Sequence, residues 1–532
     1  MSRMFLVFLS WCMLCVCTQA QILDGTDTEQ PEVSGAGYQT HAGEEQWSVL
    51  QPMPKYFQTI PHEELLTGLP SSAEDQKFAC YPRIKKMADG RYIMFYHGGR
   101  LGSRIWCTTS DDLIRWDDPV MLYSPVRKTV NGVSDVERYV NMDAAVMPSG
   151  EILAVCSFRA NSNYKYGIGN GLKLIRSVDN GKTWSEPVQI CDVTNWEPYL
   201  LVLPDGRIHC YFTHGTPQTR NSGTSLIISE DGGYTWSTPE RVCRQYKYDY
   251  DGEDIYTDQM PSFRVLNDGK TIVGWLEGRL ETDVPEDYDD KESYESYYMM
   301  SLVYNDGLEW KSLGEHSAGP QNRLTNIYDG CAGYVSVFPS GEVVLSCNKQ
   351  GVFKTKIMTC SAALPDGSGW NDDWQEIFCA GGYWGATEVD GPSTIVTAMH
   401  CPDGLQLGRL YLNHRIDARE GKWSDDCFYL GTDDGAECRI RARKEGDRLV
   451  IQSEISEGAS LELKLCVTKK RGMKKFTLTA DDPEFGFPYE EIDASPGDYI
   501  CVYGELNSGS RKAVFSQSSA SSTEKWQRIR LK

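Results

Sequence analysis

Thr194-Asn-Trp-Glu-Pro-Tyr-Leu-Leu-Val-Leu-Pro-Asp-Gly-Arg-Ile-His-Cys-Tyr-Phe212 is the stretch on which the reading turns. An apolar run, Tyr199 to Leu203, meets the turn Pro204-Asp205-Gly206 and returns as a second apolar run, the pattern of a β-hairpin. The hairpin does not account for Glu197, a carboxylate set where the first strand begins, between Trp196 and Pro198.

The same hairpin recurs along the chain. Asp-Gly or Ser-Gly turns flanked by apolar residues end at Gly90, Gly150, Gly206, Gly269, Gly341 and Gly404, a period of roughly 60 residues. Trp116, Trp184, Trp236, Trp310, Trp370 and Trp423 alternate with them. Two of these tryptophans close a full Asp-box, Ser177-x-Asp179-x-Gly181-x-Thr183-Trp184 and Ser229-x-Asp231-x-Gly233-x-Thr235-Trp236, with weaker echoes before Trp116 and Trp310. In such a box the Ser and Asp side chains bond neighbouring N–H groups and the Gly takes a positive φ, so it is a structural turn. Six units of four short strands predict an all-β chain, a six-bladed β-propeller over residues 46–424. The repeat ends there, and alternating strands over 425–532 predict a smaller antiparallel β-sandwich. The acidic stretch 281–298 reads as an inserted, solvated loop.

Composition narrows the function. Of 532 residues, 53 are Lys or Arg and 75 are Asp or Glu, so the net charge is -22, which repels nucleic acid and anionic membranes. Residues 1–20 carry one basic residue, an apolar core and a small-residue exit at Ala20, the pattern of a secretory signal; 21–45 read as a mobile leader. The expectation is an exported monomer, periplasmic or extracellular, without a stable membrane span. A lipid anchor on Cys15 or Cys17 is disfavoured by Leu14 and Val16 ahead of them. Three of the 18 Cys fall within the signal; the remaining 15 lack CxxC pairs, and Cys156, Cys210 and Cys347 read as small buried hydrophobes. His97, His214, His400 and His414 show no ligand spacing, so no metal or other cofactor is expected.

Counting back from each turn glycine aligns the strands that would line a propeller's central channel. Eleven residues before it stand Tyr139, Asn195 and Asp258; nine before, Tyr81, Asn141, Glu197, Met260 and Ala332; seven before, Arg83 and Asp143. The returning strands bring His97, Arg100, Arg159, His214, Glu277 and Arg279 to the same end. Charge concentrated where packing would place apolar groups marks a site. Glu197 and Glu277 are the candidate catalytic pair. The candidate substrate-binding set is Arg83, His97, Arg100, Asn141, Asp143, Arg159, Trp196, His214, Asp258, Arg279 and Tyr383, with Tyr199, Trp275 and Trp384 as further flat faces for sugar rings. Two carboxylates on one pocket suit glycoside hydrolysis, one protonating the leaving oxygen while the other attacks or activates water. The competing reading of either glutamate is a structural ion pair with Arg83 or Arg159.

These residues resemble a family. Asp-boxes in a six-fold pattern resemble the sialidase superfamily. Tyr81-Pro-Arg83, Trp196-Glu-Pro-Tyr199 with Leu-Pro-Asp-Gly, and Met260-Pro261 leading to Glu277 are similar to glycoside hydrolase family 93. That likeness implies a retaining, exo-acting arabinanase whose two catalytic glutamates are Glu197 and Glu277, with nucleophile and acid/base left open, acting on an oligo- or polysaccharide. True sialidases are matched less well, since the Pro of Tyr81-Pro82-Arg83-Ile84 lies on the other side of the Arg; an arginine clamp would need Arg83, Arg159 and a third member. A non-catalytic glycan- or protein-binding propeller is the remaining alternative. The tail faintly resembles family 9 carbohydrate-binding modules, without their ligand-stacking tryptophans.

Overall fold

The computed structural model describes residues 48–52, 58–60, 79–98, 104–161, 163, 167–215, 223–244, 258–281, 296–305, 307–313, 323–328, 330–339, 341–349, 352–358, 375–378, 383–391, 394–401, 404–432, 434–467, 470–515 and 527–532. The expected signal and leader, Arg100, Trp370 and most of 281–298 lie outside them, as do the side chains of Arg279, Tyr383 and His414.

The chain is all-β: a six-bladed β-propeller followed by a β-sandwich. Each blade is an antiparallel sheet, and the first strands are 79–86, 133–146, 195–202, 259–265, 331–337 and 383–389. Each of these touches the next, and 383–389 returns to 79–86, so the ring closes around an axis. The sixth blade takes its outer pairing from the other end of the chain: Ser48–Pro52 and Gln58–Ile60 both lie along Gly404–His414. Apolar cores fill the seams between blades. Between the third and fourth, Tyr211 stacks on Phe263 with ring centroids 3.9 Å apart. Cys156, Cys210 and Cys347 are fully buried within strands.

Both Asp-boxes fold as the sequence requires. Gly181 N–H donates to Ser177 Oγ at 2.8 Å, Thr183 N–H to Asp179 Oδ1 at 2.8 Å, and the Trp184 indole N–H to Gly181 O at 3.1 Å. The second box repeats these bonds around Asp231 and Trp236. The echo before Trp116 makes the corresponding bonds in a turn one residue shorter, with Leu113 at φ 66° taking the part of the glycine. The Trp310 indole instead donates to Tyr211 OH at 2.8 Å.

Two expectations shift. The turn between the first two strands of the sixth blade runs through Asp390 and Gly391; Gly404 opens the third strand and belongs to the next hairpin. Trp423, expected to complete the tryptophan register, lies beyond the last blade strand, which ends at His414, and packs beneath the Arg443 guanidinium at 4.0 Å.

The sandwich takes its first strand from Ile416–Ala418, ahead of the expected boundary at 425. One sheet joins 416–418, 527–531, 499–508, 459–467, 473–479 and 511–514; the other joins 428–431, 437–445, 448–455 and 484–488. All pairs are antiparallel except 416–418 with 527–531. Its core gathers Phe428, Ile440, Leu449, Leu461, Leu463, Ile500, Leu506 and Ile529. The joint with the propeller is specific: Asn413 Nδ2 donates to Tyr429 O at 3.1 Å, and Tyr429 N–H returns a bond to Asn413 Oδ1 at 2.8 Å. Beside it Arg409 pairs with Glu437 at 2.7 Å. Among the described residues, no helix is long and apolar enough to cross a membrane.

Candidate active site

All six first strands break their register at one level, with one extra residue against the neighbouring strand. At each break a non-glycine residue takes a left-handed backbone: Tyr81, Asn141, Glu197, Met260, Ala332 and Trp384, with φ between 44° and 57°. A β-bulge of this kind re-aims a side chain, and here it turns six of them at the mouth of the ring. The conformation costs about 1–2 kcal/mol for a residue with a Cβ. Because five other positions share it, the strain at Glu197 belongs to the architecture.

Opposite each bulge stands a polar residue of the second strand: His97 faces Cys80, Ser157 faces Val140, Thr213 faces Trp196, Glu277 faces Gln259, Asn348 faces Cys331 and His400 faces Tyr383. Several of these reach across the seam. Ser157 Oγ donates to Asn195 Oδ1 at 2.6 Å. Thr213 Oγ1 accepts the N–H of Met260 at 2.9 Å, and Glu277 Oε2 accepts that of Ala332 at 2.6 Å. Glu277 is buried, and its other oxygen accepts Gln259 Nε2 at 3.1 Å. Both carboxylate oxygens are therefore held by N–H donors, which matches what an anion withdrawn from water requires.

Glu197 sits in a different environment. Burial pushes its carboxyl up to about 7, and the nearby Glu277 charge adds to the rise, against the opposing pull of the Thr213 hydroxyl and the Arg159 and Arg83 guanidinium groups. Arg159 donates to Asn141 Oδ1 at 3.3 Å and lies over the Trp196 ring at 4.7 Å. Glu197, Glu277, Arg159, Asn141 and Trp196 thus share one corner of the mouth, where the second, third and fourth blades meet.

Other expected members lie below or aside. Arg83 is buried, donates to Pro82 O at 2.8 Å and Trp384 O at 3.2 Å, and stacks 3.6 Å over Tyr81. Asp143 is fully buried beneath the mouth, accepting Leu200 N–H at 2.8 Å and pairing with Lys85 at 3.3 Å, so it ties three blades together. His97 is buried and stacks on Tyr81 at 5.9 Å. His214 lies one residue past Thr213, bonds Ser225 Oγ through Nδ1 at 2.8 Å, and is held down to about 4 by burial. Asp258 is buried, and its backbone carbonyl accepts Thr224 Oγ1 at 2.6 Å.

Two expected sugar platforms are corrected. Trp275 is fully buried and donates to Ser346 O at 3.1 Å, and Tyr199 is buried in the seam against Tyr334; both are core. Sequence reasoning missed Gln259, which donates to Glu277, and Thr213, which lies near the Glu197 carboxyl and accepts the Met260 N–H. The signal was present in the strand register: each is tied to a bulge, Thr213 opposite one and Gln259 immediately before the next. Among the described residues, no three His, Cys, Asp or Glu side chains converge as a metal would need.

Fold and mouth together define a six-bladed β-propeller with two carboxyl groups near one another at one end of its channel. No protein-family model and no curated protein sequence matches the chain. Among solved structures it is similar to an α-L-arabinanase of Penicillium chrysogenum complexed with arabinobiose, at 16% identity over 69% of this chain and 99% of that one, TM-score 0.44. It is also similar to an α-L-arabinofuranosidase of Fusarium graminearum in complex with an iminosugar inhibitor, at 13% identity over 69% and 98%, TM-score 0.46. A Hadza microbial sialidase is similar at 13% identity over 64% and 66%, TM-score 0.44.

Proposed function

We propose that the chain is an exported, exo-acting glycoside hydrolase that removes terminal sugars, arabinan-like or related, from an oligo- or polysaccharide with retention, using Glu197 and Glu277. The observation that carries this reading is the contrast between two neighbouring carboxyl groups. One is raised to about 7 at the mouth; the other has both oxygens held by N–H donors. A carboxyl group whose proton is held up toward neutral pH beside a second carboxyl group is what acid-assisted glycoside cleavage needs.

In this reading Glu197 protonates the leaving oxygen while Glu277 attacks the anomeric carbon. Glu197, now ionised, then takes a proton from the water that releases the sugar. Trp196 and Trp384 flank the mouth as apolar faces. The structural role of Glu277 is not a full account of it: the equivalent acceptor task in the third blade is performed by a threonine hydroxyl.

The arginine-clamp alternative is weakened by Arg83. One nitrogen of its guanidinium already donates to Pro82 O and Trp384 O, and the group lies over the Tyr81 ring, so part of its binding capacity is spent within the protein.

The test is a panel of aryl arabinosides, galactosides and sialosides with the wild type, Glu197→Gln and Glu277→Gln. Loss of about a hundredfold or more in both variants on the best substrate is expected. Undiminished cleavage by either variant would overturn the pair. Retention of glycans on an array without cleavage of any member would make this a binding propeller.

A further inference from the structure

We propose that the β-hairpin over residues 126–137 is the wall that receives the leaving-group end of the saccharide, through the face carrying Arg127, Thr129, Ser134 and Arg138. The proposal rests on the reading of Glu197 as the acid and Glu277 as the nucleophile.

The second blade is built taller than its neighbours. Among the described residues, its first strand starts at Val133, eight residues ahead of the left-handed Asn141; in the other five blades the first strand starts one or two residues ahead of its left-handed residue. At about 3.3 Å per residue, that extension carries the strand roughly 25 Å past the level of the bulges. Val126–Val130 pairs along it, with Val126 opposite Glu137 and Val130 opposite Val133, on the edge away from Ile152–Ala160. In the ring, that edge of a first strand is the one nearest the axis, so the hairpin stands at the inner rim of the mouth.

The projection is firmly held. Asn131 and Gly132 have φ of 51° and 81°, the two positive values of a type I′ turn. On the face turned to the first blade, Asp135 Oδ2 accepts the backbone N–H of Asn163 at 2.9 Å and its Nδ2 at 2.7 Å, and Lys128 reaches Glu137 at 3.0 Å. Tyr139, next on that face, stacks against Tyr123 of the first blade with ring centroids 4.7 Å apart.

The opposite face is turned to the blade of Glu197. Ser157 reaches Asn195 of the third blade at 2.6 Å and Arg159 lies over Trp196 at 4.7 Å, so these two side chains point from the second blade toward the third. Arg138 is the direct strand partner of Arg159 and shares its face. Alternation carries that face up to Ser134, and pairing adds Arg127, opposite Val136, and Thr129, opposite Ser134. Arg127, Thr129 and Ser134 are exposed and Arg138 is half-buried. Two guanidinium groups and two hydroxyls, with Asp135 and Glu137 turned to the other side, give a face of hydrogen-bond donors suited to sugar hydroxyls and ring oxygens.

The order of the blades decides which part of the substrate meets it. Glu277, Glu197 and the hairpin belong to the fourth, third and second blades in turn. With Glu277 at the anomeric carbon and Glu197 at the leaving oxygen, the leaving group continues in the same sense, past Trp196 and onto the wall. Sugars held there steady the scissile bond against both carboxyl groups, so binding away from the reacting atoms is used to orient them. A short aryl leaving group ends before the wall; an oligosaccharide reaches it.

The test compares the wild type with Arg127→Ala/Thr129→Ala, two exposed positions whose truncation leaves the backbone pairing of the hairpin in place, and with Arg138→Ala. Each is assayed on the best aryl glycoside of the panel and on an oligosaccharide of three or more units with the same terminal sugar. The ratio of kcat/KM for the oligosaccharide to that for the aryl glycoside should fall about tenfold in both variants, as the loss of one or two hydrogen bonds requires. An unchanged ratio in either would overturn the proposal. If the wild type cleaves no member of the panel, the hydrolase reading fails by itself and a glycan array decides the wall. A glycan retained by the wild type and released by Arg127→Ala/Thr129→Ala keeps the face as a saccharide site; equal retention, or none by the wild type, removes it.

Discussion

Ala332 gives its backbone N–H to Glu277 at 2.6 Å, in the same place in the fifth blade from which Met260, in the fourth, gives its own to Thr213. The two acceptors sit at equivalent points of neighbouring blades. One carboxylate and one hydroxyl satisfy the same left-handed backbone, which separates what the fold asks of Glu277 from what chemistry asks.

That separation is measurable. Glu277→Gln keeps an oxygen for the Ala332 N–H, whereas Glu277→Leu leaves that donor and Gln259 unmatched. The first should unfold close to the wild type and the second should lose about 1–3 kcal/mol. Both should lose activity by about a hundredfold or more. Thermal unfolding beside aryl-glycoside kinetics distinguishes the two effects; equal destabilisation by both would show that the shared acceptor role is not what holds this strand.

Glu197 predicts the pH response. With its carboxyl raised to about 7, it is protonated in the folded chain at mildly acidic pH, so a general-acid role places the alkaline limb of the rate profile near neutrality. Stability follows the same sign. The folded form binds the proton more tightly than the unfolded form, so this contribution is complete below the ordinary glutamate range and is lost as pH rises through about 7. Glu197→Gln lacks the loss, and its melting temperature relative to the wild type should rise between pH 5 and pH 8. A difference that stays flat would mean that Glu197 titrates normally.

Gly333 follows Ala332, and a Cβ on it would come within 2.3 Å of the Trp275 ring. Gly333→Ala therefore forces the strand or the tryptophan aside and moves the N–H on which Glu277 leans. A fall in melting temperature together with a fall in kcat larger than the rise in KM is expected. Retained kcat in a destabilised variant would uncouple the two.

At the joint, Asn413 is fully buried and exchanges two hydrogen bonds with Tyr429. Asn413→Leu keeps the volume but orphans both backbone groups of Tyr429, at about 1–3 kcal/mol each. Calorimetry should then show the sandwich and the propeller melting as separate transitions, or further apart than in the wild type. A single unshifted transition would contradict the assignment.

Much of this was readable because the propeller repeats. Counting nine residues back from a turn glycine in the sequence gives five of the six left-handed positions, Glu197 among them. The sixth, Trp384, escaped because its turn ends beyond Gly391, and the Gly404 that stands out in the sequence belongs to the following hairpin. Glu277 was found as a charged residue at the end of an apolar strand, but its kinship with Thr213 was hidden. The turn of its blade is one residue longer, joining Val265 to Ile272 where the third blade joins Val202 to Ile208. Trp275 and Tyr199 misled for another reason. An aromatic residue on a blade strand can face the channel or the seam, and hydrophobicity alone reads the same in both.

The pairing of Ser48–Pro52 with Gly404–His414 makes the two ends of the propeller one sheet. During synthesis that first strand emerges long before its partner exists, and it stays an open edge while five complete blades form behind it. Closing the ring is then the step with the greatest loop-closure entropy, and the earliest strand of the propeller is the last to pair. A chain assembled in this order is most exposed to wrong edge pairing before residues 404–414 arrive.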